Sequence, residues 1–74
     1  MITKTININS LDKIETFVDI INKFNGRFDL VSGCSIVNAK SIMAIFSLDI
    51  SRPVYLYIYN EESAEHVTKA LAEF

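Results

Sequence analysis

The 74-residue sequence predicts one α+β domain, a single sheet with helices packed on one of its faces. Some segments alternate apolar and polar residues one by one, as half-buried strands do. Other segments place apolar residues three or four positions apart, as amphipathic helices do. Each strand and each helix thus has one apolar face. A layer of helices packed on one side of the sheet buries the apolar faces of both kinds of element. Residues 1–74 form one domain, because so short a chain cannot build a second core.

The first two elements are a strand and a helix. Ile2 to Ile8 alternate, with Lys4 as the polar exception on the apolar side. Ser10 is suited to cap a helix, and Asn25-Gly26 is a typical helix end. Between them, apolar residues recur at helical spacing: Leu11, Ile14, Phe17, Val18, Ile21 and Phe24. We therefore expect this helix to pack on the sheet through that stripe.

A hairpin is predicted next. Residues alternate from Arg27 to Val31, with Phe28 and Leu30 facing the core. Ser32-Gly33 is expected to turn the chain into a short strand from Cys34 to Val37. In this prediction Cys34 is a small apolar side chain within the strand.

The second half predicts a short helix, a strand and a last helix. Ser41 precedes a brief apolar helix from Ile42 to about Leu48, and Val54 to Tyr59 form the most strongly patterned strand. Asn60 is suited to cap the last helix. That helix has a buried stripe of Ala64, Val67, Leu71 and Phe74.

Composition narrows the possible partners and compartment. The net charge is −2 and the seven basic residues are scattered, which argues against nucleic acid as a partner. One cysteine, Cys34, excludes an internal disulfide, and the N-terminus lacks an apolar signal core, so we expect a cytoplasmic protein. No apolar run approaches the roughly 18 residues of a membrane span, so no membrane association is expected.

The sequence contains no residues at the spacing expected of a catalytic or metal-binding site. The only histidine, His66, lies within the predicted last helix, and no Cys or second His stands at ligand spacing. No pair of carboxylates is placed for acid–base chemistry. The sequence therefore predicts a non-enzyme with no catalytic residue, no metal site and no cofactor.

The segment Val37-Asn38-Ala39-Lys40-Ser41-Ile42-Met43-Ala44-Ile45-Phe46-Ser47-Leu48 closely resembles the regulatory-serine segment of HPr, the histidine-containing phosphocarrier of bacterial sugar uptake. A weaker similarity surrounds Asn22-Lys23-Phe24. The order of elements fits the HPr-like family along nearly the whole chain. The resemblance implies an open-faced β-sandwich, with a four-stranded antiparallel sheet ordered 1-4-2-3 and three helices on one face.

The resemblance also implies the site. Ser41 falls on the serine that HPr kinase phosphorylates in many Gram-positive bacteria, and a phosphate there would face the free amides of a helix start. The alternative is that Ser41 only caps its helix. Ile42 and Met43 match a hydrophobic docking patch, to which we add Lys40 and Phe46 as candidate partner-binding residues. The alternative is that the apolar side chains of this helix all belong to the core.

The chain departs from the family where the phosphocarrier histidine is expected. The family loop reads roughly Gly-Ile-His-Ala-Arg-Pro, whereas Ile8-Asn9-Ser10-Leu11-Asp12-Lys13 contains no histidine. Aligning the helices puts Ser10 over the histidine and Asp12 over the arginine. Asp19 and Asn22 stand where relatives often present lysines to enzyme I, the upstream kinase. Phosphohistidine transfer and ordinary enzyme I recognition are therefore not expected.

The sequence supports a regulatory protein-binding module of the HPr-like family, phosphorylated on Ser41, whose partners are a serine kinase of HPr and a transcriptional regulator. The alternative is a constitutive interaction or homodimerisation domain without phosphorylation. Tyr55, Tyr57 and Tyr59 share one side of their strand and should face the uncovered side of the sheet. They could stack on RNA bases, but an acidic chain favours packing against a partner or a second copy.

Overall fold

The computed structural model describes all 74 residues. In chain order the elements are β1 (Ile2–Ile6), α1 (Leu11–Ile21), β2 (Phe28–Ser32), β3 (Ser35–Asn38), α2 (Ile42–Ile45), β4 (Val54–Ile58) and α3 (Glu61–Ala70). None of the three helices has both the length and the apolar character needed to cross a bilayer.

The four strands form one antiparallel sheet in the order β1-β4-β2-β3, which confirms the predicted fold class. The pairings Ile6 with Val54 and Leu30 with Leu56 put the apolar side chains of neighbouring strands on one face. All three helices pack on this face, because its side chains join theirs in one buried cluster. The strand members are Ile6, Phe28, Leu30, Val54, Leu56 and Ile58, and the helix members are Ile14, Phe17, Ile21, Ile45, Ala64 and Val67.

All three predicted N-caps are confirmed. Ser10, Ser41 and Asn60 have extended backbones, and the side-chain oxygen of each accepts a hydrogen bond from a backbone N–H two or three residues later. The donor–acceptor distances are 3.3, 3.3 and 3.0 Å, respectively. Each cap satisfies an amide that has no partner within its helix, and so sets where the helix begins.

Two helices end earlier than the apolar pattern predicts. α1 stops at Ile21 rather than at Asn25-Gly26, and α2 stops at Ile45 rather than near Leu48. Beyond α2 the backbone tightens, since the N–H of Ser47 and that of Leu48 each donate to the carbonyl three residues earlier. An apolar period of three to four residues does not separate these tight turns from an α-helix.

The hairpin turn differs from the prediction by one residue. The two turn residues are Gly33 and Cys34, and Ser32 pairs with Ser35. Gly33, the first turn residue, has a φ of +59°, whereas the φ of Cys34, as of every non-glycine residue, is negative. The turn therefore resembles type II′. Cys34 is therefore exposed at the tip of the hairpin, and its predicted place within the strand is wrong.

Candidate functional site

The candidate site is built around the junction between β3 and α2. Asn38 ends β3, and its side-chain oxygen accepts a hydrogen bond from the N–H of Lys40 at 2.9 Å. Its carbonyl accepts from the N–H of Ser41 at 3.1 Å. These two bonds reverse the chain and bring Ser41 to the start of α2. Its half-buried side chain accepts from the N–H of Ala44 at 3.3 Å.

Lys40 is held within the molecule. Its ammonium group lies 2.7 Å from the carbonyl oxygen of Phe24 and 5.5 Å from the centre of the Phe28 ring. The last turn of α1 contains no basic residue, so Lys40 supplies the cation that favours the carbonyls beyond that helix. Lys40 thereby links the end of α1 to the β3–α2 junction through a hydrogen bond.

The apolar side chains of α2 and the following turn divide between the core and the surface. Ile45 and Leu48 are buried, and Ile42 is half-buried against the core. Met43 is 81% exposed and Phe46 is 53% exposed. The two lie three positions apart and so share one side of the helix. We call Met43, Phe46 and the exposed part of Ile42 the α2 patch; the alternative that all these side chains are core is wrong.

The connection between β1 and α1, where the sequence resemblance places the phosphocarrier histidine, is short. Ile8 is fully buried and Ser10 caps α1, so the chain passes directly from β1 into the helix. An open groove of about 340 Å³ lies beside this helix start. Its lining residues are Asp12, Lys13, Thr16, Glu73 and Phe74. The two carboxylates of this groove, Asp12 and Glu73, would repel a bound phosphate. No hydrogen bond or ion pair links Asp12 to Ser41.

His66 is the only histidine of the chain. It lies in α3, as the sequence predicts, and its side chain is exposed. No group of three or more His, Cys, Asp or Glu side chains is arranged to hold a metal ion.

A polar cluster on the other face of the sheet was not predicted. The hydroxyl of Tyr59 donates to Oδ2 of Asp29 at 2.9 Å, and Arg27 contacts the same oxygen at 3.2 Å through Nε and 3.1 Å through Nη2. The guanidinium lies 5.0 Å from the centre of the Tyr59 ring. Asp29 is only 5% exposed, although the alternation along β2 turns its side chain away from the helices. The hydrogen bond to Asp29 raises the pKa of Tyr59 above its ordinary value of 10.0.

Two carboxyl groups outside the site are stabilised in their charged form. The hydroxyl of Ser51, at 2.5 Å, and its N–H, at 3.1 Å, lower the pKa of Asp49 in the loop between α2 and β4. The terminal ammonium of Met1 lies 2.8 Å from Glu61 and lowers the pKa of that carboxyl. Both groups are at the surface.

Comparison with known proteins places the fold among solved structures. No protein-family model and no curated protein matches the sequence. The structure resembles that of HPr-C-His from Thermoanaerobacter tengcongensis, with 31% sequence identity and a TM-score of 0.82, covering 99% of this chain and 89% of that one. It also resembles the phosphocarrier protein HPr from Bacillus anthracis strain Ames, with 26% identity and a TM-score of 0.69, covering 97% and 93%. The likeness therefore extends over the whole fold.

Proposed function

The chain belongs to the HPr-like family of phosphocarrier proteins, and from this premise we propose that it is a regulatory module that binds proteins through the α2 patch and is switched by phosphorylation of Ser41. HPr-like proteins are carriers rather than enzymes, and they act through contacts with other proteins. The observation that carries the proposal is the exposure of Met43 and Phe46, two and five positions after Ser41.

The α2 patch has the chemistry of a protein-docking surface. Met43 and Phe46 are exposed on one side of a short helix, while the buried Ile45 holds that helix on the core. A flexible, polarisable methionine next to an aromatic ring adapts to differently shaped partners. Removing these side chains from water would contribute to binding, whereas their loss would cost the fold little.

A phosphate on Ser41 would alter this surface without rebuilding the fold. The side-chain oxygen already faces the N–H of Ala44, so an added phosphate would lie at the start of α2 among amides that have no partner within the helix. It would bring about −1.5 to −2 charges at neutral pH. Because Met43 follows two residues later, this charge would border the α2 patch and favour partners that present arginine or lysine there.

We further propose that histidine phosphotransfer has been lost. Residues 8–13 contain no histidine, and the groove beside them carries Asp12 and Glu73. The remaining histidine, His66, stands in the middle of α3, away from any helix start. The partners expected on this proposal are a serine kinase of HPr and a transcriptional regulator in the cytoplasm of a bacterium.

The direct test is the intact mass of the protein after incubation with ATP and an HPr serine kinase and, separately, with phosphoenolpyruvate and enzyme I. We expect one phosphate from the kinase and none from enzyme I. Ser41→Ala should abolish the gain, while Ser47→Ala, which removes an exposed serine from the same segment, should leave it unchanged. Phosphate gained from enzyme I would contradict the loss of histidine chemistry.

No gain of phosphate from the kinase, with an HPr control phosphorylated, would leave the alternative of a constitutive binding domain. That alternative is supported by the cap itself, since Ser41 already has a structural role. Ser41→Asp separates the two, because aspartate also caps helices and should preserve the fold. A shift in partner affinity with Asp, but not with Ala, would support the switch; unchanged affinity would support constitutive binding.

A further inference from the structure

The face of the sheet that the helices do not cover has an unusual composition. The strand register places these residues on it: Thr3, Thr5, Asp29, Val31, Ile36, Asn38, Tyr55 and Tyr57. We call this set the outer face. Asp29 is its one charged residue, and Arg27, just before β2, neutralises it. The exposed strand face of a small monomer usually carries several charged residues. Here the positions are filled by tyrosine, threonine and aliphatic side chains.

The outer face also forms a small apolar layer of its own. Val31 is 8% exposed, yet it is not a member of the main core. In the sheet it lies between Ile36 and Tyr55, which are themselves 61% and 48% exposed. The layer thus ends in large apolar side chains that nothing in the monomer covers.

We propose that the outer face is the contact between two copies of this chain, packed sheet against sheet about a twofold axis. Such an interface sets the same patch against itself, so it must tolerate its own charges. The chain carries a net charge of −2, but the one charge of the outer face, on Asp29, is paired with Arg27, so two copies meet there without unpaired like charges opposing each other.

The carboxylate of the outer face is already buried and hydrogen-bonded within one copy. Oδ2 of Asp29 already accepts hydrogen bonds from Tyr59 and Arg27 within one copy. Asp29 is only 5% exposed in one copy, so association does not have to remove an unpaired carboxylate from water. The same pairing argues against nucleic acid, because Asp29 neutralises Arg27, and the other cation beside this face, Lys40, is engaged with the carbonyl of Phe24.

The size of the face sets the strength of the contact. Four strands about 4.8 Å apart and five residues of about 3.4 Å each span roughly 19 by 17 Å, or about 320 Å² of flat area per copy. Even when the uneven surface of the side chains is added, this area is below the roughly 800 Å² that each partner buries in a standard interface. The dimer should therefore be weak and reversible, forming at high concentration.

Sedimentation equilibrium from micromolar to millimolar protein tests the proposal. The apparent mass should rise from 8.4 kDa towards twice that value. Ile36→Lys and Thr5→Lys, at exposed outer-face positions, should weaken the association constant at least about tenfold, since each would place like charges across the axis. Leu11→Lys, an equally exposed apolar position on the helical side, should leave it unchanged. Circular dichroism checks that each variant is folded.

Three outcomes would overturn the proposal. The first is a mass of one chain at every concentration, whether or not the protein binds a single-stranded oligouridine probe in a separate measurement. The second is a dimer that Leu11→Lys disrupts and Ile36→Lys does not. The third is pairing through the free edge of β3, which would protect the outward-pointing amides of Ile36 and Asn38 from hydrogen exchange. The result is independent of Ser41 and the α2 patch, which lie on the helical side, so either proposal can fail alone.

Discussion

At the scale of single residues, Asp29 shows how a charge is accommodated on a sheet face without a covering layer. Three contacts converge on its Oδ2, from the hydroxyl of Tyr59 and from two guanidinium nitrogens of Arg27. The side chain of Arg27 is 72% exposed, so its ion pair is screened by water. The hydrogen bond from the Tyr59 hydroxyl, at 2.9 Å, is the shortest of the three contacts.

The pKa of Tyr59 makes this contact measurable. Its folded pKa is raised above 10.0, so folding favours the protonated hydroxyl. The stability that this hydroxyl contributes is therefore complete below pH 10.0 and is lost as the pH rises through the folded pKa. We expect the ultraviolet titration of tyrosinate to contain a late step that Tyr59→Phe removes.

Asp29→Asn is the control for this titration. It keeps an acceptor for the Tyr59 hydroxyl but removes the negative charge, so the late step should move towards the ordinary tyrosine range. A late step that survives in Tyr59→Phe would mean that another tyrosine causes it and that the Asp29 contact is not formed in solution.

At the scale of elements, α2 illustrates a helix that its own sequence could not maintain. It has four helical residues, far fewer than an isolated helix needs. Ser41 caps it, and Ile45 and Leu48 anchor it and the following turn in the core. Because tertiary packing supplies its stability, the outward residues are free to serve binding. This division explains how so short a segment presents the α2 patch.

The β2–β3 hairpin leads to an element-scale prediction. Gly33 has a φ of +59°, which side-chain-bearing residues rarely adopt, although a Cβ there would meet no atom within 4 Å. Gly33→Ala should therefore lower the free energy of unfolding by about 1 to 2 kcal/mol through backbone strain alone. Urea denaturation followed by circular dichroism measures this change.

Gly33→Asn is the matched variant, because asparagine tolerates positive φ better than alanine. It should be less destabilising than alanine at the same position. Equal unfolding midpoints for wild type and Gly33→Ala would show that the turn does not have this backbone conformation.

At the scale of the whole molecule, the two layers divide the surface into two kinds of face. The helical side carries the α2 patch and Ser41, while the outer face is an almost neutral layer of tyrosine, threonine and aliphatic residues. The two proposed contacts therefore do not compete for the same surface. A dimer formed through the outer face would present two copies of the α2 patch on opposite sides.

Stability of the whole molecule should fall in acid. The pKa values of Asp49 and Glu61 are lowered from 3.8 and 4.5, so both carboxylates favour the folded state when charged. Their contribution is present above those ordinary values and is lost as the pH falls through the folded pKa values. We expect the Tm to decrease as the pH is lowered below about 4.5, and to decrease less in Asp49→Asn.

Glu15→Gln is the control for acid stability, since Glu15 has no ion-pair or hydrogen-bond partner in the structure. Its acid dependence should match that of the wild type. Identical pH profiles for Asp49→Asn and the wild type would contradict the role assigned to Ser51 in stabilising that carboxylate.

Much of this organisation could be predicted from the sequence, because it depends on residues close together in the chain. Alternation and helical spacing indicated all seven elements, and Ser10, Ser41 and Asn60 marked the three helix starts. The resemblance around Ser41 added the strand order, which local patterns do not contain. The candidate site was predicted as a docking patch, but the sequence left open which of its apolar side chains are exposed.

Only the tertiary structure decided how individual side chains are buried. It separates Met43 and Phe46 from Ile45, engages Lys40 with Phe24, and buries Asp29 beneath Tyr59 on the open side of the sheet. Each of these outcomes depends on a partner distant in the chain, such as the 30 positions between Asp29 and Tyr59. A periodic pattern specifies which face of an element is apolar, whereas burial depends on which distant element packs against that face.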